Sequence, residues 1–234
     1  MSNKLRKSTL SGGVIFVSNS GQANWGTPLA LVNVYIDGFN LFYGALKHTP
    51  FKWLDLSALC TGLLPGDLIQ EIHYFTARVS SRPYNPTAAH DQSLYLRALK
   101  TIPNLQIKHG RFNTHSVPMY LTNVNPPQKV WVDKTEEKGS DVNLASRLLW
   151  DSFNKRFEVA VLITNDSDLA EPVRIVAQDL RLPVGILNPH MFHSRELRQY
   201  ATFIKRIRQG DLAASQFPRV MTDRKGQFVK PIGW

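Results

Sequence analysis

The stretch EVAVLITNDSDLAEPVRIVAQ, residues Glu158–Gln178, decides the fold. Its run Val159–Ile163 is apolar at every position and β-branched at three, as a parallel strand covered on both faces requires. After Thr164–Ser167 the apolar residues return as Leu169, Val173, Val176, Ala177 and Leu180, the spacing of an amphipathic helix. Asp168 is placed as the N-cap of that helix, with Glu171 at its third position and Pro172 in its first turn. Asp166 and Asp168 therefore fall at the carboxyl end of a buried strand, where open α/β sheets bind ligands. Helix capping alone is the competing explanation of these two acids.

Toward the amino terminus, Leu31–Ile36 reads as a second buried strand ending in Asp37-Gly38-Phe39-Asn40, before an apolar helix through Leu41, Phe42 and Leu46. Gly38 permits a sharp turn, and Asn40 is placed to bond the loop backbone or Asp37, an ordinary Asx turn being the alternative. A short helix over Asp55–Leu64, a strand over Leu68–Val79 and a helix from Pro86 to about Ile102 follow, with Arg78 and Arg82 near the sheet edge. Leu105–Phe112 is a further strand. The Pro- and Asn-rich segment 113–134 is expected as a hairpin insertion with Val130–Val132 in its returning strand, its tip a candidate flap over substrate.

The next helix is expected to start at Ser140 as N-cap, with Asp141 in its first turn and Val142, Ala145, Leu149 and Phe153 on its buried side. Lys138 and Arg147 flank it. Beyond the central strand and helix, Leu182–Leu187 is a further strand, Arg195–Tyr200 a helix and Thr202–Ile207 an edge strand, followed by an irregular tail to Trp234. Strands alternating with helices imply an α/β fold with a mainly parallel central sheet covered by helices on both faces. The organisation expected is a flexible basic tail over 1–30, one domain over 31–207 and a basic extension over 208–234.

The formal net charge is +10, from 28 Lys and Arg against 18 Asp and Glu. Residues 1–30 carry +3 and residues 205–234 carry +5, so the domain between is near neutral while both ends are suited to polyanions. Cys60, the one cysteine, sits in an apolar run, which excludes an intrachain disulfide and a thiolate-rich metal site. No run approaches the ~18 apolar residues of a membrane span, so a cytoplasmic protein with no membrane partner is expected. A homo-oligomer is compatible with the sequence.

In this topology Asp37, Asp166 and Asp168 leave adjacent strands at one edge, and Asp141 reaches them from its helix start. Unit charges about 4 Å apart repel by roughly 4 kcal/mol at an effective dielectric near 20, so a cluster of four carboxylates calls for a cation. All-oxygen ligands suit Mg²⁺ or Mn²⁺.

Three segments, Tyr35–Leu41 (YIDGFNL), Glu137–Ala145 (EKGSDVNLA) and Ile163–Leu169 (ITNDSDL), stand in an order that resembles the NYN domain family of PIN-like nucleases, over roughly residues 31–207. The resemblance implies a three-layer α/β/α, PIN-like (Rossmann-like) domain that is Mg²⁺- or Mn²⁺-dependent and directed at RNA. By it Asp37, Asp141, Asp166 and Asp168 are the catalytic and metal-binding acids. Asn40, Thr164 and Ser167 are then positioning residues, and Lys138, Arg147, Arg78 and Arg82 contact nucleic acid.

The expected function is an endoribonuclease acting on single-stranded or structured RNA. The alternatives are a non-catalytic RNA- or nucleotide-binding regulator, and a small-molecule enzyme such as a hydroxylase or other oxidoreductase that reuses the pocket. No GxGxxG, Walker, GxSxG or HExxH motif is present. His190-x-x-His193 reads as a surface turn rather than a zinc site, and Trp131, Tyr120 and Phe192 read as packing residues before base-stacking ones.

Overall fold

Six segments of the chain line up as neighbouring parallel strands in the computed structural model, which describes residues 7–10, 13–16 and 30–234. The mobile tail expected over residues 1–30 lies outside the described residues, except for strands β1 (Lys7–Leu10) and β2 (Gly13–Phe16), which pair antiparallel.

The central strands are β3 (Leu31–Asp37), β4 (Leu68–Thr76) and β5 (Leu105–His109) on one side, and β8 (Val159–Ile163), β9 (Val184–Asn188) and β10 (Phe203–Arg206) on the other. They form one six-stranded parallel sheet in the order β10-β9-β8-β3-β4-β5. The chain builds outward from β3 through β4 and β5, then returns to β3 and builds the other way. The switch point therefore lies between β3 and β8, where Ile36 is registered with Ile163.

Alternation of side chains along β3 divides the core. Val32, Val34 and Ile36 face one apolar layer with Leu56, Leu59, Tyr95 and Leu99, from helices α2 (Leu56–Leu63) and α3 (Ala88–Leu99). Tyr35 faces the other layer with Leu144, Leu148, Val173 and Leu197, from α4 (Ser140–Phe153), α5 (Ala170–Arg174) and α6 (Arg195–Tyr200). The short helix α1 (Gly38–Leu41) leaves β3 directly and continues as a π-helical turn, Phe42–Leu46. The domain is the three-layer α/β PIN-like arrangement expected.

Three details differ from expectation. The strand expected over Leu105–Phe112 is two strands, β5 and then β6 (Arg111–Tyr120), joined at Gly110, where a Cβ would come within 2.8 Å of the Lys138 carbonyl. β6 pairs antiparallel with β7 (Lys129–Lys138) along its whole length, so the hairpin insertion is longer than 113–134. In α4 the buried residues include Leu144, Leu148 and Asp151, whereas Val142 and Phe153 are exposed. That helix is apolar on two sides, and periodicity alone does not choose between them.

The tail expected to be irregular folds back as α7 (Gln209–Ala214) and a hairpin of β11 (Val220–Asp223) and β12 (Gly226–Val229). Aromatic packing holds it: Phe217, Phe228 and Trp234 surround the fully buried Trp53, whose indole N–H donates to the Pro218 carbonyl at 2.9 Å. Arg97 grips the hairpin with two bonds to Asp223 and lies 4.2 Å from the Phe228 ring.

Candidate metal centre

The switch point brings Asp37, Asp141 and Asp166 together, with one carboxylate oxygen from each lying within 4.8 Å of the others. Asp37 closes β3 and caps α1 by accepting from the Asn40 amide at 2.9 Å. Gly38 is required beside it, because a Cβ would sit 2.7 Å from both the Phe75 carbonyl and the Tyr74 ring. Thr164, buried at the end of β8, donates its hydroxyl to Asp37 at 3.3 Å and accepts from the Asp166 amide at 3.1 Å. One threonine thus ties two of the three acids.

Asp166, not Asp168, is the cap on this loop. Its carboxylate accepts from the Asp168 amide at 3.0 Å and starts a short 3₁₀ turn, Ser167–Leu169, ahead of α5. The cap thus lies two residues earlier than expected and α5 begins at Ala170, with Asp168 and Ser167 exposed and Asp168 outside the acid trio. At α4 the N-cap is Gly139, with φ of 98°, while Glu137 accepts from the Ser140 amide and hydroxyl at 3.2 and 2.8 Å. Glu137 thereby does the capping expected of Ser140.

Burial pushes the Asp37 carboxyl up to about 6, and Asp141 and Asp166 add to the rise while its bonds to Asn40 and Thr164 oppose it. Asp141 is also raised, first by partial burial and then by Asp166, Glu137 and Asp168. Three close carboxylates, one held above its ordinary range by burial and then by its neighbours, have the donor set of a hard divalent cation. The residues fit such an ion.

The acids face an open cleft of about 360 Å³. Its walls include Phe39, Tyr43 and Phe112, with Phe39 edge-on to Phe112 at 5.7 Å, together with Glu137 and His190. Asn40 organises one wall: its side-chain oxygen accepts from the Asn165 amide at 2.9 Å and lies 3.1 Å from His190 Nε2. The Asn165 N–H identifies that Asn40 atom as the acceptor, so His190 is the donor and carries its proton on Nε2. His190 therefore belongs to the cleft rather than to a detached surface turn, while His193 bonds Asn188 at 2.8 Å.

Glu137, His190, Phe39, Tyr43 and Phe112 were absent from the sequence-based site. The signal available was their position within a few residues of strand ends or the motifs quoted above. The four basic residues expected at nucleic acid are not among the cleft residues. Arg147, itself a residue of α4, bonds Asp151 at 2.7 Å and Glu71 at 3.3 Å. There Glu71, His73 and Asp151 form a second group with ligand atoms within 4.8 Å, and the Arg147 guanidinium supplies its positive charge. Lys138 is exposed and paired with Glu136 at 3.0 Å, while Arg78 and Arg82 are exposed beyond β4.

A parallel α/β domain with a carboxylate trio at its switch point defines a PIN-like protein with a candidate metal centre. The NYN domain family matches residues 31–208, and the chain belongs to that family. It is 30% identical over 232 residues to the 6-hydroxy-3-succinoylpyridine 3-monooxygenase HspA of Pseudomonas putida, a similarity covering 86% of this chain and 74% of that one. A solved structure of a protein of unknown function from Vibrio parahaemolyticus superposes with a TM-score of 0.54 at 13% identity, covering 84% of this chain and 99% of the other, and shares the fold. Among the described residues no helix is long and apolar enough to cross a membrane.

Proposed function

We propose that the chain is a divalent-metal-dependent ribonuclease. The observation that carries this reading is the Asp37, Asp141 and Asp166 trio at the sheet switch point of an NYN domain. Those three residues would hold Mg²⁺ or Mn²⁺, and a bound ion supplies Lewis acidity and a water of lowered pKa. Asp168, five residues beyond the end of β8, is proposed as an outer acid that adds to the field without sharing the trio's oxygens.

The chain's own residues do the rest. Thr164 fixes the relative position of Asp37 and Asp166, and Asn40 holds the His190 ring in the cleft wall by accepting from its Nε2–H. Phe39, Tyr43 and Phe112 offer ring faces and edges for unstacked bases, the contact on which single-strand recognition relies. The net charge of +10 favours a polyanion, with Lys138, Arg78 and Arg82 as proposed phosphate contacts.

A second reading is favoured by the similarity to HspA, which spans most of both chains. In it the same aromatic-walled cleft accepts a small hydroxypyridine-like ring for oxygenation, drawing on dioxygen and a two-electron reductant from outside the chain. One experiment separates the readings. End-labelled single-stranded and hairpin RNAs are incubated with purified protein and Mg²⁺, Mn²⁺ or EDTA, with Asp166→Asn as the control, while 6-hydroxy-3-succinoylpyridine is offered with oxygen and reductant in parallel. Metal-dependent RNA fragments from the wild type alone support the nuclease; intact RNA together with reductant-dependent loss of the pyridine supports the oxygenase.

A further inference from the structure

Two surfaces hold large apolar side chains in water without cover among the described residues. The first is the outer half of the β6–β7 ribbon. Directly opposed residues share a face in an antiparallel pair, so Pro118, Tyr120 and Trp131 lie on one side and Val117, Met119, Val130 and Val132 on the other. Trp131 is 74% exposed and Tyr120 62%. The second is the outward side of α4, where Val142 is 68%, Trp150 60% and Phe153 64% exposed.

We propose that two copies of this chain form a two-fold dimer in which the ribbon tip of each lies across the outward face of α4 of the other. Such an exchange is self-complementary, because each copy presents both the arm and its receiving surface.

The area approaches that of a standard interface. On the ribbon face that carries Trp131, Tyr120 and Trp131 together with the three α4 residues expose side chains of ~150–250 Å² to the fractions given by the structure, about 650 Å² per copy. A standard interface needs roughly 800 Å² per partner.

Charge identifies a protein surface rather than a nucleic acid as the occupant. Residues 117–132 carry a single ionised side chain, Lys129, in a chain with 28 Lys and Arg. An arm that gripped phosphates would carry cations, since phosphate neutralisation dominates such binding. Isolated two-stranded ribbons are also marginal in water, so a seat on a helix face stabilises this one. The ribbon base reaches the cleft through Phe112 and Glu137, and seating the arm would hold that wall in place.

The test is mass by sedimentation equilibrium and light scattering on the full chain, wild type and the variants Trp131→Ser and Trp150→Ser. A wild-type mass of twice 26.5 kDa is expected, with each variant weakening the dimer at least tenfold while its circular dichroism is unchanged. Geometry is tested with Trp131→Cys and Trp150→Cys, which report cleanly because Cys60 is buried. Under mild oxidation the mixture of the two should cross-link and neither alone should. A monomeric wild type, a dimer unaffected by both serine variants, or cross-linking of Trp131→Cys to itself would overturn the proposal. So would a monomer whose RNA affinity falls tenfold in Trp131→Ser, which would assign the arm to nucleic acid.

Discussion

At the scale of single residues, Asp37 carries the tension of the site. Its carboxyl is raised to about 6 against an ordinary 3.8, so the folded state holds this proton more tightly than the unfolded chain does. In the metal-free protein that contribution is present below about pH 4 and is lost as pH rises through about 6. Above that point the buried charge costs on the order of 3 kcal/mol. Asp37→Asn keeps an oxygen for the Asn40 amide and removes the charge. Its Tm without metal should exceed that of the wild type at pH 7.5 by several degrees and match it near pH 4, while Mn²⁺ binding by calorimetry disappears. A variant less stable than wild type at both pH values would contradict this account. Asn40→Ala should release His190 and the Asn165 loop, lowering turnover at least tenfold while Mn²⁺ affinity changes less than threefold, since Asn40 is not one of the trio. The acids were legible in the sequence because each lies next to the strand end or helix start that presents it. Glu137 and His190 were not, because only the crossing of β7 and the loop after β9 beside α1 gives them a common cleft.

At the scale of elements, α4 does two jobs. Its inner face carries Asp151, fully buried and bonded to the Tyr35 hydroxyl at 2.9 Å and to Arg147, with His73 3.5 Å away. Burial lowers the His73 pKa, first by desolvation and then through Arg147, with Asp151 and Glu71 opposing. Asp151→Ala would leave the buried Tyr35 hydroxyl without its acceptor and Arg147 with Glu71 as its remaining partner. An unsatisfied buried polar group costs about 1–3 kcal/mol, which urea unfolding at neutral pH should register as a lower midpoint. The reading of α4 from periodicity found a helix starting at Ser140 and missed which face is inward. Leu144 and Leu148 are buried because Tyr35 and Phe75 of the sheet lie beneath them, and that choice belongs to packing rather than to spacing.

At the scale of the whole molecule, the C-terminal extension acts as a strap over one helical layer. Trp53 has no solvent exposure because Phe217, Phe228 and Trp234 close over it. Truncation after Arg208 should expose it, shifting tryptophan emission to the red and lowering Tm, and Trp53→Ala in the full chain should cost about 3–5 kcal/mol. An unchanged Tm after truncation would show the strap to be dispensable. By itself the sequence determined the parallel α/β class, the order of its strands and helices, and the positions of Asp37, Asp141 and Asp166, because apolar runs, turn residues and caps are local chemistry. Only the tertiary structure decided which acids share one cation-sized space, which face of α4 is buried, that Arg147 neutralises an interior cluster, and that the basic tail is folded. Each of those depends on contacts between residues far apart in the chain, which no local pattern encodes.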